Sequence, residues 1–240
     1  MKRLHSSVYL ILLFILFITL GNVHTIALGH LGSHSHDLQV QEEKKDHHKI
    51  PSPERISRVK QQIVKLKDFH TEGLVLDIGG GGEGIIGQLK GKQCVAIDIS
   101  KRELEEAPAG PLMKIVMDAR DLKFLDNTFN TTTVFFTFMY IDSADHEKIF
   151  QEISRVLHSG GRLLIWDVVF PEWKDKQKDL FIFPLKVELP DKTISTGYGV
   201  KRPKKQQGLP HYVELGERTG FNVVTHNDNG KWFFLELKKE

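Results

Sequence analysis

The sequence predicts an α/β protein: a doubly wound, mostly parallel sheet with a C-terminal antiparallel hairpin. Three observations carry this reading. Apolar runs that end on acids alternate with helix-length segments between residues 73 and 169. The first run leads straight into five glycines in six positions, 79–84. Strand, glycine turn and helix is the arrangement by which α/β folds admit a ligand at the carboxyl ends of parallel strands. Beyond residue 220, two β-rich runs flank Asn227-Asp228-Asn229-Gly230, a hairpin signal.

At 240 residues the chain can hold one α/β domain plus extras, or at most two small domains. Net charge is +2 with both signs spread along the sequence, which is not a nucleic-acid footprint. The single cysteine, Cys94, excludes a disulfide framework or a thiolate metal site within one chain and reads as a core residue.

Taken in order, Lys2 and Arg3 precede a thirteen-residue apolar run at 8–20. That is short for a membrane span, which needs about 20 residues, and suits a signal-peptide core. Residues 1–28 are therefore expected to be a signal peptide or N-terminal membrane anchor. The charge pattern puts the rest outside, with the cytoplasmic face of the membrane as the alternative. Residues 29–51 read as a disordered linker. Six of the twelve histidines fall at His24, His30, His34, His36, His47 and His48. They suit either loose capture of a divalent metal by residues 24–48 or a plain soluble spacer; no fixed metal site is expected.

The folded domain is expected at 52–240. Ser52-Pro53 suits a helix start, and Ile56, Val59, Ile63 and Leu66 then share one helical face. Strands are expected at 73–78, 93–98, 112–117, 131–138 and 162–169. Helices are expected at 84–90, 101–107 and from Asp142 or Ser143 through Leu157, stopped by Gly160-Gly161. After Pro171, the runs 181–189 and 193–200 suit a hairpin or lid, and 210–219 a helix.

Gly79-x-Gly81-x-x-Gly84 matches a dinucleotide fingerprint, with Asp98 near the distance expected for ribose hydroxyls. Two details oppose a nicotinamide enzyme. Asp77 would set a negative charge beside a pyrophosphate, whereas it suits a ligand carrying an ammonium. No Tyr-x-x-x-Lys pair occurs at any of the four tyrosines.

From about residue 54 to 238 the chain resembles a class I S-adenosylmethionine-dependent methyltransferase, of the small-molecule type 11 group that includes quinone-biosynthesis enzymes. Five ordered stretches carry the resemblance: Leu74-Val75-Leu76-Asp77-Ile78-Gly79-Gly80-Gly81, Asp98, 117–124, Asn127-Thr128-Phe129-Asn130 and 152–165. It implies a Rossmann-like fold and S-adenosylmethionine as cofactor. Asp77 and the backbone of Gly79, Gly80 and Gly81 would hold the methionine end. Asp98 would accept the ribose hydroxyls, Asp118 with Ala119 would meet the adenine, and Phe135 or Phe136 would line the pocket. Glu83 stands where the family's last glycine is expected. Either the turn carries an extra residue, or Glu83 faces the cofactor's ammonium. Asn130 and His158-Ser159 also depart from the pattern, in places that look structural.

In such folds Tyr140 and Asp167 sit where acceptors bind, and His146 is a weaker candidate read as a surface residue of a helix's first turn. The segment 171–207, with Trp173, Tyr198 and Lys201-Arg202-Pro203-Lys204-Lys205, would cover a small-molecule acceptor, lipid-soluble ones included. A solvated loop is the competing reading of that basic run. Two other functions compete: a nicotinamide-dependent oxidoreductase, and an exported non-catalytic metal-binding module. The implied cofactor is an intracellular metabolite, so the signal at the N-terminus and the enzyme reading pull in opposite directions.

Overall fold

Where the spacing of Ile56, Val59, Ile63 and Leu66 predicts a helix, the chain forms a 3₁₀ turn, Pro53–Arg55, and two strands, β1 (Ile56–Arg58) and β2 (Gln62–Lys65). The burial has period two, not 3.6: Val64 and Leu66 are buried while Ile63 is 51% exposed. A distant strand supplies the partners. Val59 N donates to Ile182 O and Leu66 N to Glu188 O, each at 2.9 Å. Tertiary pairing has decided the conformation of a segment whose local pattern is ambiguous.

The structure, a computed structural model, describes residues 52–110, 112–172, 177–205 and 207–240. The expected signal or anchor, the His-rich linker and Trp173 lie outside the described residues. After β2 come β3 (Val75–Ile78), α1 (Ile85–Lys90), β4 (Cys94–Asp98), α2 (Lys101–Glu106), β5 (Met113–Val116) and β6 (Phe129–Phe135). Then follow α3 (Ser143–Val156), β7 (Leu157–Val168), β8 (Leu180–Glu188) and β9 (Thr193–Lys201). The last elements are α4 (Leu209–Arg218), β10 (Phe221–Asp228) and β11 (Trp232–Lys239).

Two boundaries differ from expectation. β6 stops at Phe135, because Phe136 turns to φ +51° and a 3₁₀ turn, Phe138–Tyr140, follows. α3 ends at Val156, and Leu157 already begins β7, which runs through Gly160 at φ +75°. The double glycine bends the entry to a strand there and does not cap the helix.

The central sheet has the order β10-β11-β7-β6-β3-β4-β5. The five strands from β7 to β5 are parallel, and β11 runs antiparallel to both of its neighbours, β7 and β10. Alternate side chains serve opposite faces. Leu76, Ile78, Val134 and Ile165 pack with Ile149, Phe150 and Ile153 of α3 and Tyr212 and Leu215 of α4. Val75, Cys94, Ala96 and Leu164 pack with Ile85 and Ile86 of α1 and with Phe181, Phe183, Leu185 and Val187 of β8.

That second face is covered partly by a small sheet. β8 pairs in parallel with β1 at its start and β2 at its end, and antiparallel with β9 along its length. The expected hairpin is therefore docked, with strands of the N-terminal segment paired to it. Among the described residues no helix is long and apolar enough to cross a membrane.

Candidate active site

In the central sheet, β4 and β5 lie to one side of β3, while β6 and β7 lie to the other. Crossovers leave β3 and β6 in opposite directions, which opens a crevice at their carboxyl ends. Asp77, next to last in β3, is 2% exposed. Its register partner Thr133 donates its hydroxyl to Asp77 Oδ1 at 2.7 Å. Burial pushes the Asp77 carboxyl up to about 7; the Thr133 bond opposes this and the Asp98 charge adds to it.

Asp98 ends β4, and its carboxylate accepts the N–H of Ser100 at 2.8 Å and those of Gly81 and Ile99. Partial burial raises its pKa, and those backbone bonds restrain the rise. Among the described residues no cationic side chain pairs with either acid. The crevice is thus negative and uncompensated.

The glycine turn is clamped between β4 and α2. The N–H groups of Gly79 and Gly80 donate to Ile97 O at 2.8 and 3.0 Å, and Gly82 N to Glu103 O at 2.8 Å. Gly79 has φ +72°, and a Cβ there would lie 2.3 Å from Thr137 Oγ1. A Cβ on Gly81 would lie 2.5 Å from Glu103 Cβ and 2.9 Å from its backbone carbonyl carbon. Only glycine lets this turn sit so close to its neighbours.

Glu83 stands between two left-handed glycines, Gly82 (φ +56°) and Gly84 (φ +54°). Gly84 is the N-cap of α1, so the helix begins only after Glu83. The Glu83 carboxylate faces β9, where it accepts the Thr196 hydroxyl and, in a longer contact at 3.4 Å, the Tyr198 phenol. Tyr198 stacks on Phe136 with centroids 5.7 Å apart. Tyr140 meets Tyr198 edge-on at 6.5 Å and is half exposed. Phe136 holds this position with a positive φ that aromatic residues rarely adopt. Together these side chains form an aromatic wall beside the crevice.

Other expected residues lie elsewhere. Asp167 is 1% exposed, and its carboxylate accepts the N–H groups of Met139 at 2.9 Å, Val168 at 2.7 Å and Phe138. Burial raises it to about 7 against those bonds. It fastens the 3₁₀ turn that carries Tyr140, and does not face open space. Asp118 and Ala119 follow β5 at the sheet's edge. Arg120 grips Asp118 through Nε at 3.0 Å and Nη2 at 2.6 Å and holds its pKa below the usual carboxylate range.

His146 corrects the surface reading: it is fully buried. Its rings of contact explain this, with Phe138 at 5.0 Å and Tyr212 at 5.5 Å. Nε2 bonds Ile141 O at 3.1 Å and Nδ1 meets His211 Nε2 at 3.0 Å. Burial lowers its pKa to about 4, so it is a neutral core residue near pH 7.

Sequence reasoning missed Thr133, Thr137, Thr196 and Arg120. Thr133 stands in a run of three threonines, and only the β3–β6 register shows which of them meets Asp77. Thr196 lies 113 residues from Glu83, so no local spacing could link them. The Asp118–Arg120 pair was the one readable signal, an acid and a base two residues apart.

A family model described as "Methyltransferase domain" matches residues 76–165. Demethylmenaquinone methyltransferase of Thermotoga maritima is 32% identical over 124 residues, which are 48% of this chain and 52% of that protein. The protein of the same name from Mycolicibacterium vanbaalenii is 32% identical over 99 residues, 40% of this chain and 42% of its own. The chain spans about half the length of the curated relatives it matches. In fold it is similar to a S-adenosylmethionine-dependent methyltransferase of Methanosarcina mazei, with TM-score 0.52 at 17% identity over 72% of this chain and 94% of that one. An Aquifex aeolicus methyltransferase gives TM-score 0.51 at 16% identity, covering 70% and 82%. The segment that matches the methyltransferase-domain model runs from β3 to β7 and contains the switch point, the glycine turn and Asp98, so the similarity falls on the part of the fold that carries the candidate site.

Proposed function

We propose that the chain transfers a methyl group from S-adenosylmethionine to a small-molecule acceptor. The observation that carries this is the pair Asp77 and Asp98, two carboxylates at the switch point with no cationic partner among the described residues. A pyrophosphate would meet repulsion there, whereas a ligand bearing a sulfonium and an ammonium supplies the missing charge. This favours the methyltransferase reading over the nicotinamide one.

When bound, the cofactor supplies an activated methyl group on a cationic sulfur. The chain's residues do the rest. The turn at Gly79–Gly81 and the Asp77 carboxylate would face its methionine end, and Asp98 would take the ribose hydroxyls. Asp118, whose two oxygens already accept the backbone N–H, Nε and Nη2 of Arg120, would have to exchange part of that pairing to meet the adenine edge. Phe136 closes the side of the crevice and excludes water, which leaves alignment as the main contribution of the protein. No residue is required as a base by this geometry. Tyr140 and Tyr198 offer an acceptor flat aromatic surface, a feature compatible with the quinone named in the relatives' descriptions.

Calorimetric titration of the full chain with S-adenosylhomocysteine tests this. Saturable binding at micromolar to sub-millimolar ligand, with none for NADH, is expected. Protection by NADH alone would select the oxidoreductase.

The N-terminal segment enters the proposal as an anchor: residues 8–20 would tether the domain to a membrane. Accessibility of a C-terminal tag on intact and opened cells decides which side it faces.

A further inference from the structure

A cavity of about 380 Å³ opens beside the aromatic wall. Tyr140 and Met139 of the 3₁₀ turn line one side, and the end of β9 with the segment after it lines the other. Its charged lining is one-sided: Lys201, Arg202 and Lys204 against the single carboxylate of Asp142. Lys204 pairs with Asp142 at 2.9 Å. Arg202 lies beside Asp179, which Arg55 also binds, so these charges are already engaged with one another. Lys201 has no carboxylate within ion-pair distance among the described residues. Lys201 therefore gives the cavity a surplus positive charge, while the first turn of α3 is capped by Asp142, which accepts the N–H groups of Ala144 and Asp145.

The two ends of the site have opposite signs. The crevice at Asp77 and Asp98 is negative, and the cavity past Tyr140 is positive. Tyr140 belongs to both, since it lines the cavity and meets Tyr198 of the wall. An acceptor with a flat ring and an acidic group would be drawn ring-first along Tyr140 and Tyr198, with its anion held by Lys201 and its neighbours. The same charges would keep that anion away from the two aspartates.

We infer that the methyl acceptor is an aromatic acid whose ring lies on the Tyr140–Tyr198 wall and whose anionic group occupies the Lys201–Lys204 cavity. This rests on the methyltransferase reading above and narrows its acceptor to a class. The acid can be a carboxylate or a phosphate ester, which present the same charge to the lysines.

The test uses the full chain with and without saturating S-adenosylhomocysteine. Three probes of similar ring size are titrated: 3,4-dihydroxybenzoate, its neutral counterpart 3,4-dihydroxybenzyl alcohol, and phenyl phosphate. At least one of the two anions should bind tenfold or more tightly than the alcohol, and the stronger of them identifies the acid. The preference should shrink with added salt. It should fall to within about twofold in the double variant Lys201→Met, Lys204→Met, while affinity for S-adenosylhomocysteine stays unchanged. Equal binding of acid and alcohol, a preference that survives the double variant, or no binding of either anion to the cofactor-loaded chain would overturn the inference. Acid preference in a chain that never binds S-adenosylhomocysteine would instead contradict the methyltransferase reading and leave the cavity's selectivity standing.

Discussion

The glycine turn after β3 and the small sheet that packs near it are built in opposite ways. The turn's backbone is held locally: the N–H groups of Gly79 to Gly82 find Ile97, Asp98 and Glu103 on the next strand and helix, and only the side chains of Asp77 and Glu83 reach farther, to Thr133 and Thr196. The small sheet is non-local. β1 and β2 reach β8 across more than 120 residues, and β9 reaches Glu83 across 113. A local turn can be kept by a short sequence pattern, so the cofactor end of the site falls inside the matched segment 76–165. The small sheet lies wholly outside it. It supplies Tyr198 and Lys201 to the proposed acceptor site, whose other wall, Met139 to Ser143, lies inside the matched segment. On the proposed reading, the turn receives the cofactor and the small sheet contributes to the choice of acceptor.

Glu83 bridges them, and perturbing each side separately tests the division. The largest effect is expected from Gly81→Val. The new side chain collides with the Glu103 backbone in α2, so S-adenosylhomocysteine affinity should fall at least a hundredfold while far-UV circular dichroism stays native. Native affinity in that variant would remove the turn from the site.

On the other side, Val64→Asp buries an unpaired carboxylate in the small sheet and should cost about 3 kcal/mol or more by urea denaturation. Ile63→Asp, one residue away, should cost less than about 0.5 kcal/mol. A helix over 56–66 would predict a large loss at Ile63 as well.

The pH dependence separates the two acids raised to about 7, Asp77 in the crevice and Asp167 beneath the 3₁₀ turn. Between roughly pH 4 and 7 each binds a proton in the native state that the unfolded state has lost. Stability should therefore fall as pH rises through that window, by up to about 1.4 kcal/mol per unit for each group, and level off above pH 7. Asp167→Asn should flatten part of this slope. A cationic ligand beside Asp77 favours its ionised form, so S-adenosylmethionine affinity should weaken below pH 7 by up to about tenfold per unit. Asp77→Asn should remove that dependence, and a Kd unchanged from pH 5 to 8 in the parent chain would place the ligand's charge elsewhere.

Glu83→Gly should give the smallest change in cofactor binding, within about threefold. It should also speed hydrogen exchange in β9 and cost about 1–2 kcal/mol through the lost Thr196 and Tyr198 bonds. Unaltered exchange there would mean the bridge contributes nothing.

Much of the central sheet was legible because β3 runs into the glycines, β4 ends on Asp98 and Asp118 follows shortly after β5. Val75–Ile78 and Cys94–Asp98 lie within the strands expected from apolar runs alone. The N-terminal segment was not legible. Its apolar residues satisfy both a helical face and an alternating strand, and the choice depends on β8, far along the chain. The positions of Asp77 and Asp98 in one crevice followed from the strand-end rule, whereas the burial of His146 depends on Tyr212 and His211 from α4. Asp167 illustrates the limit for site residues. A strand-end acid can face a ligand or cap a turn, and only the backbone N–H groups of Phe138 and Met139 show which work it does here.

The central claim is that the uncompensated acids at the switch point receive the cofactor. A crystal structure of the full chain with S-adenosylhomocysteine tests it most directly. The account predicts density along Gly79–Gly81, with the ribose hydroxyls on Asp98 and the amino-acid end toward Asp77. Density at another place, or a filled crevice in which Asp98 touches no hydroxyl, would contradict it.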